Sequence, residues 1–421
     1  MSVPSLRRDR VLRLIVIGGI ALRALYAAST PWTVRAHDTA GHIEYIEYVA
    51  QHLALPPPQA GWEFYQPPLY YLIAGTIDRA GAQFGASREA VLHVVQALST
   101  LFACLTFLVG VQLCLEFAPA ENRLAARTAC LLLATLPGLI FPASRINNDL
   151  LVELLIAASV LLMVRGARSR TRLLSLTAGG VVGLGLLTKS NAALVAPLLL
   201  VIPVLLAREN MREALVRGVL AGVVAIVCAG WLPIARQMPA KDVVAGNRNY
   251  LNRKLTLETS VRHLVVVSPA EMVDMPFNSA WSDDRRRQYF WEYLYRSAFF
   301  GEFDHGDARR TLARVVLGAS FLLWPLLLLG LFPIGARDGR HVLVLVLWVG
   351  ALVCGQLIFR LVAPFSTSQD FRYITSAAIP MAVLVGRGVA RLPRPLTPLG
   401  VVITAAAACA AAAFVATLLF S

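Results

Sequence analysis

Long unbroken apolar stretches recur from one end of this chain to the other, and polar residues gather in the gaps between them. The stretches are close to the ~20 residues a helix needs to cross a bilayer. They are continuous rather than alternating, so the pattern predicts helices and not the strands of a barrel. Spans are expected near 12–30, 91–115, 125–143, 150–165, 173–188, 191–207, 218–236, 312–333, 341–360, 373–390 and 397–420, eleven in all. The two that flank Lys189 are short. Two gaps are long, 31–90 and 237–311, and the rest are brief. Residues 1–421 therefore read as one all-α polytopic membrane domain with two large loops.

Composition agrees. Hydrophobic residues make up 57% of the 421 and charged residues only 15%, where a soluble domain carries about 25% charge. The formal net charge of +14 could point to nucleic acid, but its placement does not. Arginines cluster before span one (Arg7, Arg8, Arg10), after span two (Arg123, Arg127) and after span four (Arg165, Arg168, Arg170, Arg172). They cluster again after spans six (Arg208, Arg212, Arg217), eight (Arg337, Arg340) and ten (Arg387, Arg391, Arg394). With a cytoplasmic N-terminus every cluster falls on the cytoplasmic side, so the charge reports orientation and no nucleic-acid partner. Residues 11–28 imitate a signal peptide, but Arg13 and Arg23 interrupt them and more spans follow, so the expectation is an uncleaved first span. All six cysteines lie in predicted spans, which leaves none for an external disulfide or a cysteine metal site.

The same topology puts both long loops outside the cytoplasm. In the first, Ile43, Ile46, Ala50 and Leu53 recur at helical spacing, with Glu44, Glu47 and Gln51 on another face. That predicts an amphipathic helix on the membrane surface, ended by the prolines at 56–58. Leu69 to Phe84 predicts a second juxtamembrane helix, too short and too charged to be a span. Asp38, just ahead of the first helix, reads either as an N-cap or as a general base at a membrane-surface cavity. His37 and His42 could join it around a divalent metal. Gln66 either contacts substrate or shapes the Pro67–Pro68 turn.

Other polar groups share that side. Arg145 and Asp149 lie in the short loop before span four, where Asp149 could cap the helix or serve a site, and Glu153 follows one turn later. Lys189 is one of three lysines and sits between two short spans; an ionisable residue there is a functional candidate, with snorkelling as its other reading. The second long loop ends with Glu302, Asp304 and His305 among aromatics, and Asp370, Arg372 and Tyr373 precede span ten. Arg372 or Tyr373 could hold a phosphate through charge-assisted hydrogen bonds.

HDTAGHIEYIEYVA at 37–50, QPPLYYLI at 66–73, RINNDLL at 145–151, FGEF at 300–303 and QDFRYI at 369–374 together resemble the GT-C superfamily of integral-membrane glycosyltransferases. The resemblance is to the bacterial branch related to protein O-mannosyltransferases and the lipid A aminoarabinose transferase. It implies a GT-C-type bundle, a polyprenyl-phosphate-linked sugar donor, a lipid, glycan or protein acceptor, and a place in the bacterial inner membrane. It implies Asp38 as general base, Asp149 as a second site acid, and Tyr373 as a contact for donor phosphate. Two departures stand out. Thr39 follows Asp38 where many relatives carry an acidic pair. Tyr65 and Gln66 stand where the aminoarabinose branch has Glu and Lys, which argues against transfer of aminoarabinose. Rival readings are a carrier for a lipid-linked sugar, which needs polar groups at mid-depth such as Arg23, and a non-catalytic subunit of an envelope-glycan assembly.

Overall fold

A computed structural model describes residues 9–36, 38–118, 123–206, 211–236 and 253–419. Among them the secondary structure is helical, apart from one isolated bridge between Thr256 and Phe365. Helices α1 to α10 are Arg10–Ser29, Thr39–His52, Leu69–Gln83, Arg88–Phe117, Arg123–Thr135, Asp149–Ser169, Arg172–Leu186, Leu198–Leu206, Met211–Ala229 and Trp231–Ala235.

Seven stretches of the described residues are long and apolar enough to cross a membrane: Arg10–Ser29, Arg88–Phe117, Asp149–Ser169, Met211–Ala235, Asp307–Leu331, Asp338–Val362 and Thr397–Ala416. An eighth is broken. The expected continuous span at 125–143 is α5 followed by the turns Pro137–Ser144, bent by 70°. Pro137 lacks the N–H that would continue the ladder, and a Cβ at Gly138 would lie 2.3 Å from the Ala298 carbonyl oxygen. The two short spans appear as α7 and as the turn Ser190–Val195 leading into α8. The expected span 373–390 starts late. Residues Ser366–Ala377 form tight turns, and the helix runs only over Ala378–Arg391.

Two compact units make up the chain. One holds Met1–Tyr26, Phe107–Ile140 and Lys254–Ser421. In it, α5 packs against the helices Ala378–Arg391 and Thr397–Ala416. Arg23 is buried at mid-helix in α1, yet its guanidinium donates to the carbonyls of Gly19, Leu133 and Ala134 at 2.9–3.3 Å. It closes the C-terminal end of α5, where the bend leaves carbonyls without their helical partners.

The other unit holds Ala27–Thr106 and Phe141–Arg253. Here α6, α7, α8 and α9 pack together, and α2 lies on α3. Both juxtamembrane helices form where the apolar spacing puts them. Helix α2 stops at His52, with Leu53 in the left-handed region at φ 51°, three residues before the proline run. Its buried face is not quite the expected one. Ile46 and Ala50 are buried, but beside Gly41, His42, Tyr45 and Val49, while Leu53 is exposed. The aromatic ring of Tyr71 on α3 stacks on Tyr45 at 3.8 Å and draws that side inward.

Small residues let helices meet closely where lipid gives no hydrophobic drive. A Cβ at Gly388 would stand 1.8 Å from the Leu326 carbonyl oxygen. We expect Gly388→Leu to destabilise the fold by about 1–3 kcal/mol or more, seen as a lower unfolding temperature in detergent. Gly350→Ala, which meets nothing within 4 Å, should leave that temperature unchanged.

Candidate active site

The polar residues of the unit containing α2 and α3 gather where the first long loop meets the start of α6. Asp38 stands at the N-cap position of α2, half-buried, with no side-chain hydrogen bond to the first turn. Capping is therefore not what this carboxylate does here. One turn on, His42 is buried and its Nδ1 is 2.8 Å from the Tyr71 hydroxyl. That contact fixes α2 on α3. The Tyr71 hydroxyl is pushed up by burial, reinforced by the charge of Glu63, and stays protonated.

Gln66 is the junction. Its Nε2 donates to Glu63 Oε2 and to the Tyr65 hydroxyl, both at 3.0 Å. Its Oε1 accepts from Asn148 Nδ2 at 3.2 Å. Asn148 also donates to the Thr188 carbonyl at 2.9 Å, so one buried chain of hydrogen bonds runs from the first loop to the turn before Lys189. Glu63 is buried against Gly41 of α2.

Asp149 opens α6, where the helix dipole favours a negative charge. Its Oδ1 is ion-paired with Lys189 Nζ, and Asn147 Nδ2 donates to its Oδ2 at 3.0 Å. Asp149 is buried and Lys189 mostly so, with side chains 7% and 12% exposed. Burial pushes the neighbouring Tyr70 hydroxyl up and the Asp149 charge adds to it. Arg145 is buried in the turn that leads to Asn147, and Glu153 lies buried one turn into α6.

The remaining expected residues belong to the other unit. Glu302 and Asp370 are buried, and both act on Tyr293 in the helix Phe290–Phe300. Burial pushes that hydroxyl up first, the two carboxylates add to it, and Arg372 and Arg296 oppose it. Asp370 accepts from the Arg372 backbone N–H at 2.9 Å and so closes a tight turn. Arg372 Nη2 donates to the Tyr373 hydroxyl at 3.0 Å, with the guanidinium over that ring. His305 donates from Nε2 to the Phe300 carbonyl and sits among the rings of Phe277, Phe300 and Phe414. That packing accounts for it without a substrate.

Sequence reading joined Asp149 to the site but did not foresee its pairing with Lys189 forty residues on. Asn148 and Tyr71 lie inside the RINNDLL and QPPLYYLI stretches but had no role assigned to them, and Glu63 was not singled out. Among the described residues no group of three or more His, Cys, Asp or Glu comes together to hold a metal ion. His37 lies outside the described residues.

The described helices form a polytopic membrane protein with a GT-C-type fold. Residues 84–234 match the family model described as dolichyl-phosphate-mannose-protein mannosyltransferase. The chain is thus similar over that stretch to the protein mannosyltransferases. It is similar to the oligosaccharyltransferase AglB of Archaeoglobus fulgidus, solved with an inhibitory peptide and a dolichol-phosphate. The TM-score is 0.59 at 12% identity, covering 99% of this chain and 56% of that one. It is also similar to ArnT of Cupriavidus metallidurans bound to undecaprenyl phosphate. There the TM-score is 0.55 at 15% identity, covering 93% of this chain and 62% of that one. The chain spans little more than half the length of these structures. No curated protein matches it by sequence.

The Asp149–Lys189 pair makes a measurable claim. Removing one member of a buried pair costs about 3–5 kcal/mol. Asp149→Asn and Lys189→Met should each lower stability by that order in denaturant titrations. The double variant should cost less than the two singles summed, and strict additivity would show that the pair is not coupled.

Proposed function

We propose that this chain is a membrane glycosyltransferase that moves a sugar from a polyprenyl-phosphate donor to an acceptor hydroxyl. The acceptor is a lipid, a glycan or a protein, and the reaction takes place on the extracytoplasmic face of the bacterial plasma membrane. One arrangement supports this above the others. In a GT-C fold, the first loop is tied through Glu63, Gln66 and Asn148 to the segment that carries Asp149 and Lys189. Those are the two places where the resemblance expects acids.

In this reading Asp38 is the general base. The acceptor oxygen attacks the anomeric carbon, its proton passes to Asp38, and the bond from that carbon to the phosphate oxygen breaks. The polyprenyl phosphate leaves with the electron pair, and a single displacement inverts the configuration. Developing charge on the phosphate needs cationic and hydroxyl donors. Arg145 and Lys189 offer them in the unit that holds Asp149. Asp149 serves by holding Lys189 in place. His42 and Gln66 shape the surroundings of these groups, while Glu302, His305, Asp370, Arg372 and Tyr373 are candidate substrate contacts within their own unit.

A carrier would need charge along a path through the membrane. Arg23, the mid-depth charge that such a path would use, is bound to helix-end carbonyls instead.

Purified protein in liposomes, given a labelled polyprenyl-phosphate sugar and acceptor, should form glycosylated product. Asp38→Asn should lower the rate by about 10²–10⁴-fold without shifting the unfolding temperature. Full activity in that variant would remove Asp38 as the base, and lipid movement without product would favour the carrier.

A further inference from the structure

Arg236 ends the stretch Met211–Ala235 and stands apart from every arginine cluster that sets the topology. Those clusters mark one side, and the span that begins after Arg212 and Arg217 delivers Arg236 to the opposite side. A basic residue there needs a local reason.

The reason is visible in its contacts. Arg236 Nη1 donates to the Gln66 carbonyl at 2.9 Å. Its Nη2 donates to the carbonyls of Pro56 and Phe64 at 2.7 and 2.6 Å. All three acceptors lie in the proline-rich strap between α2 and α3. The strap's own backbone pairs are few, among them Ala60 to Pro57 and Gln66 to Glu63. The Tyr45 hydroxyl also lies within reach of the Gln66 carbonyl, at 3.4 Å, and of the Arg236 guanidinium. One planar cation thus fixes three points of a segment that has almost no regular structure. A guanidinium presents five donors in a rigid fork, which a lysine cannot copy.

We propose that Arg236 is a positioning residue for the transfer reaction: it clamps the Leu53–Pro68 strap and so aims Gln66 and Glu63 at the Asn148–Asp149 segment. This rests on the glycosyltransferase reading. Arg236 is engaged by the strap's carbonyls and the Tyr45 hydroxyl, so it acts through Gln66 rather than on substrate. A 1 Å displacement of such a group costs about 10²-fold in rate.

The test uses the full chain in detergent or nanodiscs, as wild type, Arg236→Lys, Arg236→Gln and Arg236→Gly. The strap holds no lysine or arginine but carries Trp62, Phe64 and Tyr65, so chymotrypsin cleavage at those residues, mapped by mass spectrometry, reports its closure. In Arg236→Gln, cleavage there should rise about tenfold, and kcat should fall on the order of 10- to 100-fold with a smaller change in KM for the donor. Arg236→Lys should recover little of either. Added guanidinium ion should restore part of both in Arg236→Gly. Cleavage at the wild-type rate in Arg236→Gln would overturn the clamp. Faster cleavage with unchanged transfer kinetics would overturn the positioning role. Transfer absent from wild type itself would overturn the glycosyltransferase reading and this inference with it, whereas an active wild type with indifferent Arg236 variants overturns this inference alone.

Discussion

Each break in a helix at or near a membrane leaves carbonyls that water cannot reach, and a set of long-range hydrogen bonds among the described residues satisfies them. The pattern recurs in both units. Arg23 closes the end of α5. Asn148 takes the Thr188 carbonyl at the end of α7. Arg217 takes Gly166 near the end of α6. Arg391 takes Leu329 and Gly330, and Gln356 takes Ser368 and Asp370 in the turns before the helix Ala378–Arg391. Broken helices can persist in hydrocarbon only with such partners. Polar side chains are therefore concentrated where the chain stops being regular, and that is also where a reactive cluster can be assembled.

This gives several arginines two duties. Arg217, Arg387 and Arg391 follow the positive-inside pattern, and that alone would explain their presence. Their contacts add a structural reason. Arg387 and Arg391 both reach Asp338, at 2.5 and 2.6 Å, while the other terminal nitrogen of each donates to a helix-end carbonyl. Cations suit the negative end of a helix. A charge distribution read only as a topology signal is thus also a set of helix C-terminal caps.

Helix class, the two juxtamembrane helices and most span positions were legible because each depends on local periodicity. Helix α2 was expected from Ile43, Ile46, Ala50 and Leu53, and α3 from the stretch after Pro68. What local pattern could not show was where a span breaks. Residues 125–143 are apolar enough for a span, and the packing of Gly138 on Ala298 joins the missing N–H of Pro137 in making the bend favourable. The start of span ten was misjudged for a related reason. Thr367, Ser368, Asp370 and Thr375 favour turns bonded by their own side chains, and that preference overrides the apolar residues among them. In the cluster, Asp149 and Lys189 could each be picked out as unusual charges. Their partnership depends on how α6 and α7 pack, which no spacing along the chain encodes.

The same packing accounts for the departure at residues 65 and 66. The related aminoarabinose transferases are expected to carry Glu and Lys there, and this chain carries Tyr and Gln. An ammonium has three donors and no acceptor, so a lysine at 66 would meet the Asn148 amide donor to donor. Gln66 instead donates to Glu63 and accepts from Asn148, which lets Asn148 keep its hold on the Thr188 carbonyl. A carboxylate is still present, supplied by Glu63 three residues before Gln66. A cation is present too, on Lys189, held beside Asp149 rather than on the loop. The charges that the motif places next to one another along the chain are here brought together from α6, the loop after α7 and the strap. The substitution at 66 is therefore matched to its neighbours, and the loop is wired through an amide instead of a charge.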